Sequence, residues 1–331
     1  MNRMMIGMSL ALVFCGTFSA HAQQARLTAS IVDFDTGLPI SNMVVRASFD
    51  TNIKAGWGWG AGKPNHVFGM TDTNGVCVFD GDGDGGTAGI SVSNTPVYYG
   101  SSCGVTFTNV TLGITGRRWL PWNPTLELRL HKVGDPIPLY AKHFGAFAPY
   151  VKIPEFGKPV GFDLLKADWV EPYGKGEQPD FVFTINVKMG GKTKSGYNIH
   201  DSSLYLGFSN KGDGIQSVYA SPQPGVRLLR EAPEQGYETN LVRRAYNHDN
   251  GDYYRERRED QNYYFRVRTK RDDKGNIVSA LYGKIYDEIG WFGGIRFIYY
   301  LNPTPNDRNL EFDGRNNLFK PDWQENGPPA P

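Results

Sequence analysis

The chain has 331 residues and a formal net charge of +1, with 35 Lys and Arg against 34 Asp and Glu. Nucleic-acid-binding proteins usually carry a clear basic excess, so this balance argues against a nucleic-acid partner. Forty glycines, 21 prolines, 18 tyrosines and 19 phenylalanines favour strands and turns over helices, and they predict an all-β protein.

Residues 1–22 have the pattern of a cleavable signal peptide. Arg3 supplies a basic start, and residues 6–18 form an apolar run. Ala20 and Ala22 then place small side chains at the −3 and −1 positions of a cut. The alternative is a membrane anchor, which needs about 20 apolar residues, and this run is shorter. We therefore expect a secreted or periplasmic protein that is not transmembrane.

The three cysteines are Cys15, Cys77 and Cys103. A lipoprotein cut before Cys15 would prefer a small preceding residue, whereas Phe14 is bulky. After signal cleavage Cys77 and Cys103 remain, and two thiols in an oxidising compartment favour a disulfide. The alternative is a pair of buried free thiols, which behave as small apolar side chains.

Residues 23–132 are predicted to form a β-sandwich. Turn chemistry at residues 35–39 and at Asn74-Gly75 separates strand patterns, because Gly and Asn accept the positive φ that tight turns need. A further strand pattern follows at residues 105–112. Several short strands between turn signals are typical of a sandwich.

Three stretches of this region resemble the carboxypeptidase regulatory-like domain. They are Val32-Asp33, Thr36-Gly37-Leu38-Pro39-Ile40-Ser41-Asn42 and Thr71-Asp72-Thr73-Asn74-Gly75-Val76-Cys77-Val78-Phe79. The resemblance covers roughly residues 25–130 and implies an immunoglobulin- or transthyretin-like sandwich. Such domains are usually accessory modules, so the resemblance implies scaffolding or binding and no peptidase activity. The Gly- and Trp-rich insert at residues 56–62 departs from the short hairpin of the family.

That insert holds Trp57 and Trp59 at alternating positions among glycines. If the insert were a strand, the two rings would point to the same side. They would then either form a binding surface for a sugar or a protein, or cap one end of the sandwich.

Asp80, Asp82 and Asp84 alternate with glycines in the pattern that begins a calcium-binding loop. The acidic residue expected at the twelfth position is absent, since Ser91 stands there. The two interpretations are a calcium site and an exposed acidic turn, for which Asp and Gly are well suited. Calcium is the only cofactor that the sequence suggests.

The second half of the chain is again rich in strand patterns. Residues 133–160 contain five prolines and are predicted to connect the two domains. A second β-rich domain is predicted over residues 161–319, followed by a disordered Pro-rich tail over residues 320–331. Several motifs of the chain resemble a group of uncharacterised exported bacterial proteins, which implies export and no defined activity. These motifs are residues 122–124, 136–142, 168–176 and 299–309.

Arg266 and Arg268 alternate with Phe265 and Val267 in one of these strands, ahead of a turn at residues 270–276. The alternation predicts that both guanidinium groups face solvent, either as paired charges or as a contact surface.

These patterns favour a non-catalytic binding or structural protein of the cell envelope or extracellular space, with a protein or glycan partner. No catalytic residue is assigned. The alternative is a hydrolase or lyase of extracellular polymers. Many glycosidases use two carboxylates that are far apart in sequence, and the fold alone brings these together.

Overall fold

The computed structural model describes residues 24–50, 65–82, 86–107, 109–113, 116–145, 150–219, 230–248, 251–256 and 261–319. Within these ranges there are twenty strands and no helix, which confirms the predicted all-β class. None of the described residues belongs to an apolar helix that could cross a membrane. The predicted signal peptide and the C-terminal tail lie outside the described residues.

Nine strands come from the first 130 residues. They are β1 (Gln24–Asp33), β2 (Val44–Phe49), β3 (Asn65–Met70), β4 (Val76–Asp82), β5 (Thr87–Val92), β6 (Ser101–Thr106), β7 (Asn109–Gly113), β8 (Gly116–Leu120) and β9 (Thr125–Leu130). One sheet has the order β4-β1-β8-β7, with β9 also paired to β1, and the other has the order β3-β2-β5-β6. These two sheets agree with the predicted N-terminal β-sandwich.

The core of this first region follows the alternation in its strands. Along β1 the residues alternate between buried and partly exposed, so Leu27, Ala29 and Ile31 point inward. The turn predicted at Asn74-Gly75 is present, with Gly75 at φ 73° and its N–H donating to the carbonyl of Asp72. It joins β3 to β4 and so connects the two sheets.

Eleven strands follow in the rest of the chain. They are β10 (Tyr140–Phe144), β11 (Pro159–Asp163), β12 (Asp168–Trp169), β13 (Phe181–Lys192), β14 (Asn198–Gly207), β15 (Gly214–Tyr219), β16 (Asn240–Asn247), β17 (Tyr253–Arg255), β18 (Gln261–Arg271), β19 (Ile277–Gly290) and β20 (Arg296–Leu301). One sheet has the order β10-β20-β19-β18-β15, and the other has the order β12-β11-β13-β14-β16-β17.

The facing sides of these two sheets enclose an aromatic core. Buried side chains of β13, β18 and β20 meet there, including Phe181, Phe265 and Phe297. The Phe181 and Phe265 ring centroids are 5.1 Å apart in an edge-to-face arrangement, which aromatic pairs favour. The other side of the β10-β20-β19-β18-β15 sheet is covered as well, in a second cluster that includes Tyr282, Tyr300 and Phe312.

The chain divides into two compact units whose limits differ from the predicted domain limits. Among the described residues, the first unit holds the chain up to Ile31, then Pro39–Val92 and Cys103–Glu127. The second unit holds Val32–Leu38, Ser93–Ser102 and the chain from Leu128 onward. Residues 133–160, predicted as a connection, contain β10, which pairs with β20 along its whole length.

The predicted disulfide between Cys77 and Cys103 is not present in the structure, where both residues are free thiols. Cys77 lies on β4 and packs against Gly69 of β3, whereas the thiol of Cys103 lies 3.8 Å from the Glu127 carbonyl oxygen on β9. Each side chain is thus directed to a different strand. Burial raises the pKa of both thiols, which keeps them protonated and poorly reactive.

Candidate binding surface

Only some of the candidate site residues predicted from the sequence lie in the described part of the chain. Trp57, Trp59 and Asp84 lie outside the described residues, as does the side chain of Asp82. Asp80 lies on β4, and its carboxylate forms an ion pair of 3.2 Å with Arg26 on β1. Within the described residues there is no group of three or more His, Cys, Asp or Glu placed to hold a metal ion. Calcium binding stays a prediction.

Arg266 and Arg268 do not form the predicted contact surface. Arg266 is only 8% exposed, and its Nε and Nη2 both donate to the Gly212 carbonyl. Arg268 donates from Nε to Asp180 at 2.7 Å and from Nη2 to Asp163 at 2.9 Å. Both guanidinium groups are therefore bonded to other residues of the second unit and do not form an exposed surface.

A different surface collects exposed aromatic and polar side chains, on the outer side of the β13-β14-β16-β17 part of one sheet. Lys188, Asp201, Tyr246 and Tyr254 are register partners across these four strands. Register partners share one side of a sheet, so the four side chains form a row. The inner side of the same strands carries buried residues such as Leu204, which leaves the row on the solvent side.

The aromatic rings in this row are stacked. Tyr246 and Tyr254 have ring centroids 5.5 Å apart with planes 26° from parallel. His248 follows the last residue of β16 and stacks on Tyr246 at 4.7 Å and 13°. Tyr254 remains 43% exposed. We call Tyr246, His248 and Tyr254, together with Asp201 and Arg244, the tyrosine face.

Two carboxylates hold the His248 ring in place. Its Nε2 lies 2.9 Å from Asp201 Oδ1, and its Nδ1 lies 3.6 Å from Asp252 Oδ2. The hydrogen bond with Asp201 raises the pKa of His248, with a further contribution from Asp252, and so favours the imidazolium. A fixed ring at the end of the stack gives the tyrosine face a pre-ordered shape.

A groove of about 670 Å³ runs beside the stack. Its wall includes Tyr246 and Arg244 from β16, Asp201 and Ser203 from β14, and Asn186 from β13. The Asn186 amide donates to Ser203 Oγ at 3.3 Å, and this leaves donors and acceptors of both residues open to the groove. The combination of flat rings and short polar side chains suits a ligand with both apolar and hydroxyl groups.

One pair of acidic residues in the second unit, Glu256 and Glu288, is tied to a structural arginine. Arg243 contacts Glu288 at 3.0 Å and Glu256 at 3.5 Å, and Tyr263 also donates to Glu288. A pair of acids acting on a glycosidic bond must reach the substrate from both sides of it. Because one guanidinium contacts both groups here, this pair favours a structural role.

The tyrosine face was not predicted from the sequence, although a turn pattern beside its tyrosines indicates a hairpin there. Asn250-Gly251 is a strong hairpin turn signal, and Tyr246, His248 and Tyr254 flank it. A hairpin near that point places Tyr246 and Tyr254 on neighbouring strands, and in the structure the two are register partners. Asn186, Asp201 and Ser203 could not be assigned to the same surface, because strand order does not follow from one sequence.

No family model matches this chain, and no curated protein matches it. Among solved structures, a DUF3823 family protein from Parabacteroides merdae is similar to it, with 11% sequence identity. That match covers 84% of this chain and 96% of the other, with a TM-score of 0.20. A TM-score this low assigns neither a fold nor a function, and the carboxypeptidase regulatory-like resemblance stays a prediction.

Proposed function

We propose that this protein is an exported, non-catalytic binding protein that holds a glycan on the tyrosine face. The observation that carries the proposal is the ring stack of His248, Tyr246 and Tyr254 beside a polar groove. The C–H groups of a sugar ring pack against an exposed tyrosine ring, here Tyr254, which Tyr246 supports from behind, while the sugar hydroxyls bond to carboxylates and amides. The tyrosine face offers both kinds of group within one row of strands.

The compartment in this proposal comes from the signal-peptide pattern of residues 1–22. An exported binding protein would meet polysaccharides of the cell envelope or of the medium. The carboxylates at the tyrosine face, Asp201 and Asp252, both contact His248, and this engagement favours binding over cleavage of such a chain.

The test is binding of the mature protein to a panel of purified extracellular and cell-wall polysaccharides, followed by titration with oligosaccharides of any glycan that binds. Tyr246→Ala and Tyr254→Ala should each weaken binding by about tenfold or more, as loss of a central aromatic contact does. Tyr219→Ala is the matched control, because Tyr219 is an exposed tyrosine on β15 of the other sheet.

Two results would contradict the proposal. One is an unchanged affinity in both Tyr246→Ala and Tyr254→Ala. The other is a fall in the molar mass of the glycan during incubation, which would show cleavage. Absence of binding across the panel, together with recovery of a protein partner that needs Tyr246, would replace the glycan with a protein.

A further inference from the structure

A second cavity, of about 400 Å³, lies in the second unit and takes no part in the tyrosine face. Its wall includes His143 of β10, Arg255 of β17 and Arg296 of β20, and we call it the arginine pocket. Arg296 is the register partner of Gly290, so no side chain stands opposite it on β19. A Cβ at Gly290 would lie 3.2 Å from Arg296 Nε, which shows that the guanidinium borders the space left by the glycine.

Neither guanidinium in the arginine pocket has an ion pair or hydrogen bond within the described part of the chain. Three other arginines of this unit differ in this respect. Arg243, Arg268 and Arg308 each contact two carboxylates. Two unpaired guanidinium groups at one cavity are donors for an anion, and carboxylates match their planar geometry.

Three acidic residues also line the pocket, Glu256, Asp287 and Glu288, and two of them are engaged by Arg243. Glu288 accepts from Arg243 and from Tyr263, and Glu256 also contacts Arg243. His143 is partly buried, and this burial lowers its pKa, so the ring is neutral near pH 7. A neutral imidazole has one N–H and one acceptor nitrogen, and among the described residues His143 has no hydrogen-bond partner.

A smaller aromatic cavity of about 190 Å³ adjoins the arginine pocket, and Arg255 and Trp291 line both. Its other lining residues are Ala245 and the rings of His200, Tyr253 and Phe292. His200 and Phe292 meet edge to face at 4.6 Å, and Phe292 is 43% exposed. A flat ring of a ligand could therefore lie among these aromatic groups while a substituent reaches the arginines.

We propose that these adjoining cavities bind a carboxylate attached to a six-membered ring. The carboxylate bonds to Arg255 and Arg296, and the ring lies against Phe292 and Trp291. This chemistry has two sources, a uronic acid from an acidic polysaccharide and an aromatic acid. The site is independent of the tyrosine face and does not require the glycan proposed there.

Calorimetric titration of the full mature chain tests this with four probes of the same ring size. Glucuronate and benzoate carry the carboxylate, whereas glucose and benzamide are their neutral counterparts. We expect one or both acids to bind and their neutral counterparts to bind at least about tenfold more weakly, as expected for loss of a charge-assisted hydrogen bond. Preference for glucuronate identifies the uronic acid source, and preference for benzoate the aromatic one.

Arg255→Gln and Arg296→Gln locate the site, with Arg315→Gln as the matched control at an exposed arginine outside both cavities. Each pocket variant should weaken the acid by about tenfold or more and leave the weak binding of the neutral probe unchanged. Unchanged acid affinity in both folded variants would overturn the proposal. Two results with the wild-type chain alone would also overturn the proposal. One is equal affinity for an acid and its neutral counterpart, and the other is no binding of either acid.

Discussion

Lys284 is an ionisable side chain that lies in a buried, aromatic environment. It is fully buried on β19, and its Nζ has no hydrogen-bond partner within the described residues. The ring centroids of Tyr286 and Tyr300 each lie 5.0 Å from Nζ. Burial lowers the pKa of Lys284 to about 7; Glu311 opposes this effect and Arg230 adds to it. A neutral amine in this position costs far less than an ammonium ion.

This pKa makes stability depend on pH in a definite direction. In the unfolded chain Lys284 returns to its ordinary value near 10.5, so between about pH 7 and pH 10.5 the unfolded state binds a proton that the folded state lacks. The free energy of unfolding therefore rises with pH across this window and is lowest below pH 7.

Lys284→Met should remove that dependence. At pH 6 the variant should be more stable than the wild type by roughly 2–5 kcal/mol, and the difference should shrink towards pH 10. Urea unfolding at pH 6, 8 and 10 measures both quantities. Lys192→Met, at an exposed end of β13, is the control and should change neither. A wild-type slope that persists in Lys284→Met would contradict the assignment.

At the scale of elements, β18 and β19 form the centre of one sheet, and Gly283 determines how closely they pack. A Cβ at Gly283 would lie 2.5 Å from the Tyr300 carbonyl oxygen on β20 and still closer to the Phe265 ring on β18. The ring of Phe265 thus lies over the glycine, in the space that any side chain would need. The aromatic core depends on this close approach.

Gly283→Ala should therefore be strongly destabilising, by about 3 kcal/mol or more, because neither the backbone nor the buried ring can move aside. Gly191→Ala on β13 is the matched control, since nothing lies within 4 Å of a Cβ there. Thermal unfolding of the two variants measures the contrast. Similar melting temperatures for both would show that the sheet accommodates a methyl group at Gly283.

The sequence predicted this hairpin but not the directions of its side chains. The strand that contains Arg266 and Arg268 and the turn at residues 270–276 are both present, as β18 and the connection from β18 to β19. The alternation nevertheless predicted that the guanidinium groups of Arg266 and Arg268 face solvent, and this prediction was wrong. Register shifts in the pairing after Val267, and Arg268 has a φ of 55°, so the strand is bulged at that point. Period-two reasoning also assumes one solvated face, whereas both faces of β18 are covered.

At the scale of the whole molecule, the second unit is assembled from three separate parts of the chain. Tyr99, from Ser93–Ser102, donates its hydroxyl to Glu311 Oε1 at 2.7 Å. The backbone N–H groups of Gly134 and Asp135 donate to the same carboxylate, at 2.7 and 2.9 Å. The buried Glu311 side chain therefore ties together residues that the predicted domain limits would separate.

Tyr99→Phe removes one donor from this buried carboxylate and should destabilise the second unit by about 1–3 kcal/mol. Hydrogen exchange offers a local readout, because the amides of Gly134 and Asp135 should exchange faster than in the wild type. Tyr150→Phe, at a tyrosine that is 57% exposed, is the control. Unaltered protection of both amides in Tyr99→Phe would show that Tyr99 does not support Glu311.

Local patterns predicted the strands well and their assembly poorly, for a physical reason. Alternation and turn chemistry act over a few residues, so the Asn74-Gly75 turn and the turn at residues 270–276 could be predicted. The contact of Tyr99 with Glu311 and the row from Lys188 to Tyr254 depend on which strands become neighbours. That choice is made by the packing of the whole chain, and one sequence carries no local sign of it.

Because Tyr99 bonds to Glu311, this part of the second unit cannot be completed until Glu311 has been synthesised. The two residues are 212 positions apart, and a ribosome adds about 5–20 residues per second, so Tyr99 waits roughly 10–40 s for its partner. Over that time the nascent second unit lacks its closing segment and exposes strand edges. Such a chain needs protection from aggregation until Glu311 has emerged from the ribosome.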